Sequence, residues 1–179
     1  MEEYFDIVDE KNVPIGEKRS REEAHSQGLW HRAVHIYLFR KNNNAIDFLV
    51  HLRSKTKDLN PNMWDTRFGG HVKTGETVED TALEELKEEI GVNVQISDLI
   101  FGDVYKHDGF PNREFNIVYY YNFQGDITSL KFNDGEVQEI KWMETQEIIQ
   151  SMRNTPGNWT GKSEKFLKIV EILIAKMNS

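Results

Sequence analysis

Seven carboxylates crowd residues 76–89: Glu76, Glu79, Asp80, Glu84, Glu85, Glu88 and Glu89, opposed only by Lys87. The segment reads as a helix over residues 78–90. Thr77 with Asp80 three residues on is an N-terminal capping pair. Gly91 suits the left-handed position after the last turn. Ala82, Leu83, Leu86 and Ile90 fall on one side at helical spacing and predict burial against a sheet. Glu79 and Asp80 complement the positive end of the helix dipole, but Glu88 and Glu89 oppose its negative end. Glu85 with Glu89, and Glu84 with Glu88, are like-charge i,i+4 pairs, each costing roughly a few tenths of a kcal/mol. Glu85 and Glu89 also flank the apolar stripe, which predicts partial desolvation. A solvated acidic face is the ordinary state of a Glu-rich helix. Here the charges oppose both the dipole and each other, and a bound divalent cation removes both penalties. Clustered oxygen ligands suit magnesium, with manganese as the alternative.

The rest of the chain predicts a setting for that helix. A length of 179 residues fits one domain, 1–179, with its own core. The net charge of −8 argues against a basic face, so duplex nucleic acid is not an expected partner. No run of about 18 apolar residues is present, so no membrane span is expected. The acidic start Met1-Glu2-Glu3 lacks the basic and then apolar pattern of a secretory signal. The chain has no cysteine, which excludes thiolate metal sites and cysteine nucleophiles. A cytoplasmic location is the resulting expectation. Strand-like segments run over 5–8, 13–18, 33–40, 45–53, 99–106, 114–123 and 137–143, with 65–72 extended and broken by Gly69-Gly70. Helices are expected over 20–27, with Ser20 as N-cap, and over 145–152 and 162–177. Strands and helices mix without regular βαβ alternation, so the expected class is α+β, a mixed sheet in layers with helices.

Residues 70–92, GHVKTGETVEDTALEELKEEIGV, resemble the Nudix box. Gly70, Glu76, Glu85, Leu86, Glu88, Glu89, Gly91 and Val92 occupy its fixed positions. The box arginine is the exception, because Glu84 stands there. The resemblance implies the Nudix fold, a mixed β-sheet sandwiched between helices. It implies Glu85 and Glu89 as metal ligands, Glu88 as a further ligand or a base, the Gly70 carbonyl facing a metal, and Glu76 as support. In the family the arginine holds the glutamate at the position of Glu76, so Lys73 or another cation must replace it here; otherwise the site is less ordered. Phe5 to Glu10, Gly28 to His35 and Trp64 to His71 resemble the branch nearest isopentenyl-diphosphate isomerase. In that branch histidines like His25, His31 and His71 help hold a metal, with carboxylates near Glu114. The isomerase also needs a cysteine at the position of Gly69.

The resulting expectation is a magnesium-dependent enzyme that hydrolyses a diphosphate linkage in a small molecule. The substrate is a nucleoside diphosphate derivative or a related phosphorylated metabolite. Metal ions neutralise phosphate charge and lower the pKa of water, and positioning supplies much of the rate. Glu85 and Glu89 would hold the cation, and Glu88 or Glu136 would take the proton from water. Arg53, at the end of a strand, and Lys57 are the candidate phosphate contacts, with Lys55 read as a solvated surface lysine. Glu76, His31, His71, Glu114 and Glu136 are supporting residues or ligands of a second metal. Two alternatives remain: a non-catalytic nucleotide-binding module, suggested by Glu84, and the isomerase itself. Oligomeric state is open, a homodimer included.

Overall fold

The computed structural model describes residues 2–43, 45–56, 59–132, 135 and 137–178. A six-stranded mixed sheet forms the centre. Its strands are β3 (His31–Asn42), β4 (Ala45–Arg53), β5 (Trp64–Asp65), β6 (Leu99–Gly109), β7 (Asn112–Asn122) and β8 (Val137–Glu144). Their order is β5-β4-β3-β7-β6, with β8 on β4. β3 pairs parallel with β7 from His31↔Glu114 to Phe39↔Asn122; the other pairings are antiparallel. β3 is apolar along most of its length because both faces of this central strand are covered.

One face carries α2 (Val78–Ile90), whose Ala82, Leu86 and Ile90 pack on Val34, Ile36, Leu38, Leu49 and Ile117. The other carries α3 (Thr145–Asn154) and α4 (Ser163–Met177). Ile148, Ile149, Met152, Phe166, Ile169 and Leu173 of those helices meet Tyr37, Phe39, Phe48, Val118 and Tyr120. The buried Tyr120 hydroxyl donates to the Ile169 carbonyl at 2.7 Å, tying α4 to the sheet. This is the expected α+β class, and the alternation of side chains along β3 decides which residues meet which helix layer. A smaller unit of β1 (Tyr4–Val8), β2 (Pro14–Ser20) and α1 (Arg21–Gln27) packs on itself through Phe5, Ile7 and Ala24 and meets the sheet through Val8 against Phe115 and Phe5 against His31. Ser20 caps α1 as its sequence predicts, in a capping box with Glu23.

Two differences from the sequence expectation have physical causes. The 65–72 segment is extended, but only Trp64–Asp65 forms a strand; beyond it the chain makes isolated bridges at Ile36↔Phe68 and Ala33↔His71. Gly69, at φ +131, interrupts the ladder. β6 and β7 extend further toward each other than their apolar patterns show, because their tips pair as a hairpin from Lys106↔Phe115 to Gly109↔Asn112. Among the described residues, no helix is long and apolar enough to cross a membrane.

Leu86 is fully buried on the face of α2 that meets the sheet. Leu86→Ala should cost about 2–5 kcal/mol, read as a lower urea midpoint at unchanged slope. A change below 1 kcal/mol would show that α2 is not part of the cooperative core.

Candidate active site

β3 and β4 pair only near their shared turn, from Phe39↔Phe48 to Asn42↔Ala45. Where they diverge, residues 64–72 fill the gap. Trp64 and Asp65 pair with β4, while the following residues run along β3. Val34 N–H donates to the Gly70 carbonyl at 2.8 Å and Val72 N–H to the Arg32 carbonyl at 2.9 Å. The fit requires glycine at 69, where the obstacle is backbone and φ is +131°, and is close at 70. A Cβ on Gly69 would collide with the Val34 carbonyl, and one on Gly70 would collide with the Glu85 carboxylate. The Gly69 N–H donates to Glu89 Oε2 at 2.8 Å. Glu85 and Glu89, one helical turn apart, therefore reach the same two glycines. The Gly70 carbonyl, expected to face a metal, gives one lone pair to Val34 and keeps the other.

Burial pushes the Glu85 carboxyl up to about 7; Lys73 opposes this, and the charges of Glu88, Glu3 and Glu76 reinforce it. Glu88 is exposed on the same helix. Glu76 has two partners in place of the family arginine. The Thr81 hydroxyl lies 3.0 Å from its Oε2, and Lys73 Nζ lies 4.0 Å from its Oε1. Glu84, at the arginine position, points to solvent. Lys73 thus stands where the sequence suggested a substitute cation. Thr81 carries no sequence signal, since a threonine inside a helix is usually a neutral filler.

On the other side of the glycine pair, His71 begins a second cluster. His25 from α1, His31 from β3, His71 and Glu114 from β7 each offer one ligand atom, all within 4.8 Å of one another. His71 Nε2 is 3.1 Å from Glu114 Oε1. His31 Nδ1 lies 2.9 Å from the Leu29 carbonyl, which can only accept, so Nδ1 carries the proton. The lone pair on Nε2 of a neutral His31 then faces Glu114 Oε1 at 3.7 Å, acceptor against acceptor. Among the described residues, the buried Nε2 atoms of His25 and His31 have no hydrogen-bond partner. Burial, with His71 and His31 nearby, takes the His25 imidazole down to about 4, so it is neutral at pH 7. Burial alone would raise Glu114, but His71, whose Nε2 lies 3.1 Å from Oε1, outweighs it and holds the carboxyl below the usual carboxylate range. Phe5 stacks on both His31 and His71, at 5.0 and 4.7 Å between ring centres. This donor set fits a cation placed among the four residues, which would satisfy both orphaned nitrogens.

The candidate phosphate contacts are arranged differently. Arg53 ends β4 as expected, but its guanidinium donates to the carbonyls of Leu59 and Asn60 at 3.0 and 3.3 Å and braces that loop. Lys55 is exposed. Lys57 and Glu136 lie outside the described residues. At Gly69, where the isomerase needs a cysteine, the Val34 carbonyl leaves no room for any side chain.

Glu85 yields a pH prediction for the metal-free protein. Its folded pKa of about 7 lies above the ordinary 4.5. Between those values the folded chain keeps a proton that the unfolded chain has released. Stability therefore falls as pH rises through that window, and the full penalty persists above it. Glu85→Gln should raise the melting temperature of metal-free protein by several degrees at pH 8 and leave it unchanged at pH 4. An equal shift at both pH values would show that the carboxylate's charge is not the cause.

Comparison with known proteins gives the family and the fold. The NUDIX domain family matches residues 29–163. An uncharacterized Nudix hydrolase of Clostridium acetobutylicum is 34% identical over 157 residues, covering 86% of this chain and 75% of its own length. Isopentenyl-diphosphate Delta-isomerase 2 of Photorhabdus laumondii is 28% identical over 164 residues, covering 89% of this chain and 88% of its own. A crystal structure of a Deinococcus radiodurans protein superposes with a TM-score of 0.71 at 22% identity, covering 95% of this chain and 99% of that one, which shows a shared fold. The chain belongs to the Nudix family and is one of its pyrophosphohydrolases.

Proposed function

We propose that this enzyme cleaves the diphosphate linkage of a nucleoside diphosphate derivative or a related small phosphorylated metabolite. The observation that carries the reading is the meeting of Glu85 and Glu89 at Gly69-Gly70. Two carboxylates in van der Waals reach of one backbone turn, one of them with a raised pKa, are a site short of positive charge. Glu85 and Glu89, with the free lone pair of the Gly70 carbonyl, would hold magnesium or manganese. A bound divalent cation supplies neutralisation of the diphosphate and acidification of water. Within this proposal Glu76, fixed by Thr81 and Lys73, keeps the loop between Gly70 and α2 in register. Glu88, exposed toward solvent on the last turn of α2, would accept the proton from the attacking water; Glu136 is the alternative acceptor.

His25, His31, His71 and Glu114 would hold a second cation. Three imidazoles suit a transition metal better than magnesium. That cation would sit across the glycine pair from Glu85 and Glu89, since His71 directly follows Gly70 in the chain. The isomerase reading is disfavoured by Gly69, whose position admits no side chain. The non-catalytic reading rested on Glu84; Glu76 has partners without an arginine, which removes the main reason for it.

Glu89→Gln tests the proposal, because the amide oxygen still accepts the Gly69 N–H while the charge is gone. Magnesium-dependent hydrolysis should be measured over nucleoside diphosphates, dinucleotides and nucleotide sugars, read as the phosphate or phosphomonoester products formed. The rate should fall by more than the roughly 10–100-fold typical of losing an outer-shell partner, with an unchanged circular dichroism spectrum. Activity at the wild-type level would overturn the assigned cation site.

A further inference from the structure

β1 divides its side chains between two surroundings. Phe5 turns inward and stacks on His31 and His71. Tyr4, its neighbour in the strand, turns the other way and is 42% exposed. In the register of β1 with β2, Tyr4 pairs with Ser20 and Asp6 with Lys18. Lys18 therefore shares the face of Tyr4, and its Nζ lies 6.0 Å from the centre of the Tyr4 ring. The loop between Gly70 and α2 runs against the same strand. Thr74 N–H donates to the Tyr4 carbonyl at 2.8 Å, and Lys73 bridges to Phe5. Where strand and loop meet, a cavity of about 540 Å³ is bounded by Glu2, Glu3, Tyr4 and Lys18 on one side and by Lys73 and Glu76 of the loop on the other. Small-molecule sites span roughly 300–1,000 Å³.

The charges around this cavity balance. The Tyr4 hydroxyl donates to Glu2 at 3.1 Å, Arg21 pairs with Glu3 at 2.8 Å, and Lys73 Nζ lies 4.0 Å from Glu76. With Arg21 counted, the carboxylates of Glu2, Glu3 and Glu76 face the cations of Arg21, Lys18 and Lys73. Such a cavity gives no advantage to a further phosphate. Its one aromatic wall, set among charged groups, offers little to a hydrocarbon tail. A nucleobase matches both features. Its flat ring stacks on a tyrosine, and its edge carries donors for carboxylates and acceptors for ammonium groups. The cavity also lies near the proposed cation site. Lys73 follows Gly70 by three residues, at most about 11 Å of chain, and Gly70 packs against the Glu85 carboxylate. In keeping with that, the charges of Lys73, Glu3 and Glu76 act on Glu85.

We propose that the cavity beside Tyr4 is the nucleobase subsite of the enzyme, with the Tyr4 ring as its stacking platform. This deepens the hydrolase reading and rests on it for the word substrate. It narrows the substrate class to nucleoside diphosphate derivatives. With the diphosphate at Glu85 and Glu89, the nucleoside runs along the loop and its base enters between Tyr4 and Lys73. Tyr4 touches the base and not the reacting atoms, so it sets specificity and takes no part in the chemistry.

The test begins without metal or turnover. The monophosphates of adenosine, guanosine, cytidine and uridine are titrated by calorimetry into chelator-treated wild-type protein, Tyr4→Phe and Tyr4→Ala. Neither substitution touches the main-chain bond from Thr74 to residue 4. Wild type should bind at least one of the four, Y4F should bind it equally well, and Y4A should bind it about tenfold more weakly, as loss of a base–aromatic stack requires. No binding to wild type, or equal affinity in Y4A, overturns the subsite. The second arm compares kcat/KM for a nucleoside diphosphate sugar with that for its analogue lacking the base. The ratio should fall about tenfold in Y4A and hold in Y4F; an unchanged ratio in Y4A overturns the substrate assignment. If wild type hydrolyses no diphosphate, the hydrolase reading fails while the monophosphate titration still decides the cavity, so the two failures are told apart.

Discussion

The backbone of Gly69 and Gly70 passes between β3 and α2, with no space for a Cβ at Gly69 against the Val34 carbonyl and with the Glu85 carboxylate packed against Gly70. That squeeze fixes the distance between the sheet and the acidic helix, and both candidate cation positions follow from it. Gly69 offers its N–H to Glu89. Gly70 gives its carbonyl to Val34 and its bare Cα to Glu85. His71, next in the chain, turns toward Glu114. Three consecutive residues thus register the box helix against one side and the histidine cluster against the other. A larger residue at 69 would push the strand from β3 and move both sites together.

Electrostatics explains why the arrangement favours a bound cation. α2 is anchored by Leu86 and Ile90, both fully buried, so Glu85 and Glu89 cannot retreat far into solvent. The apolar contact holds the charges near one another, as the proposed divalent-cation site requires. The histidine cluster shows the same logic with other donors. Phe5 and the sheet bury the imidazoles, and burial leaves two ring nitrogens without hydrogen bonds. In each case hydrophobic packing supplies the free energy that keeps polar ligands poorly solvated.

Much of this was legible in the sequence where the determinants are local. The bounds of α2 follow from Thr77, Asp80 and Gly91, within a few residues of the helix they close. The strands of the sheet follow from runs of apolar and β-branched residues. The burial of Glu85 and Glu89 follows from their place beside the stripe. Features that depend on residues far apart in the chain were less legible. His25, His31, His71 and Glu114 come from four separate segments, and only their resemblance to a known branch suggested a set. Arg53 shows the opposite failure. Its place at a strand end was readable, but the loop carbonyls of Leu59 and Asn60 that engage it were not.

The central claim is that Glu85, Glu89 and the Gly69-Gly70 turn make a divalent-cation site. Crystals soaked in manganese, with anomalous diffraction recorded at the manganese edge, test it most directly. The account predicts an anomalous peak bounded by the carboxylates of Glu85 and Glu89 and the Gly70 carbonyl. A peak confined to the histidine cluster, with none at the acidic helix, would contradict it.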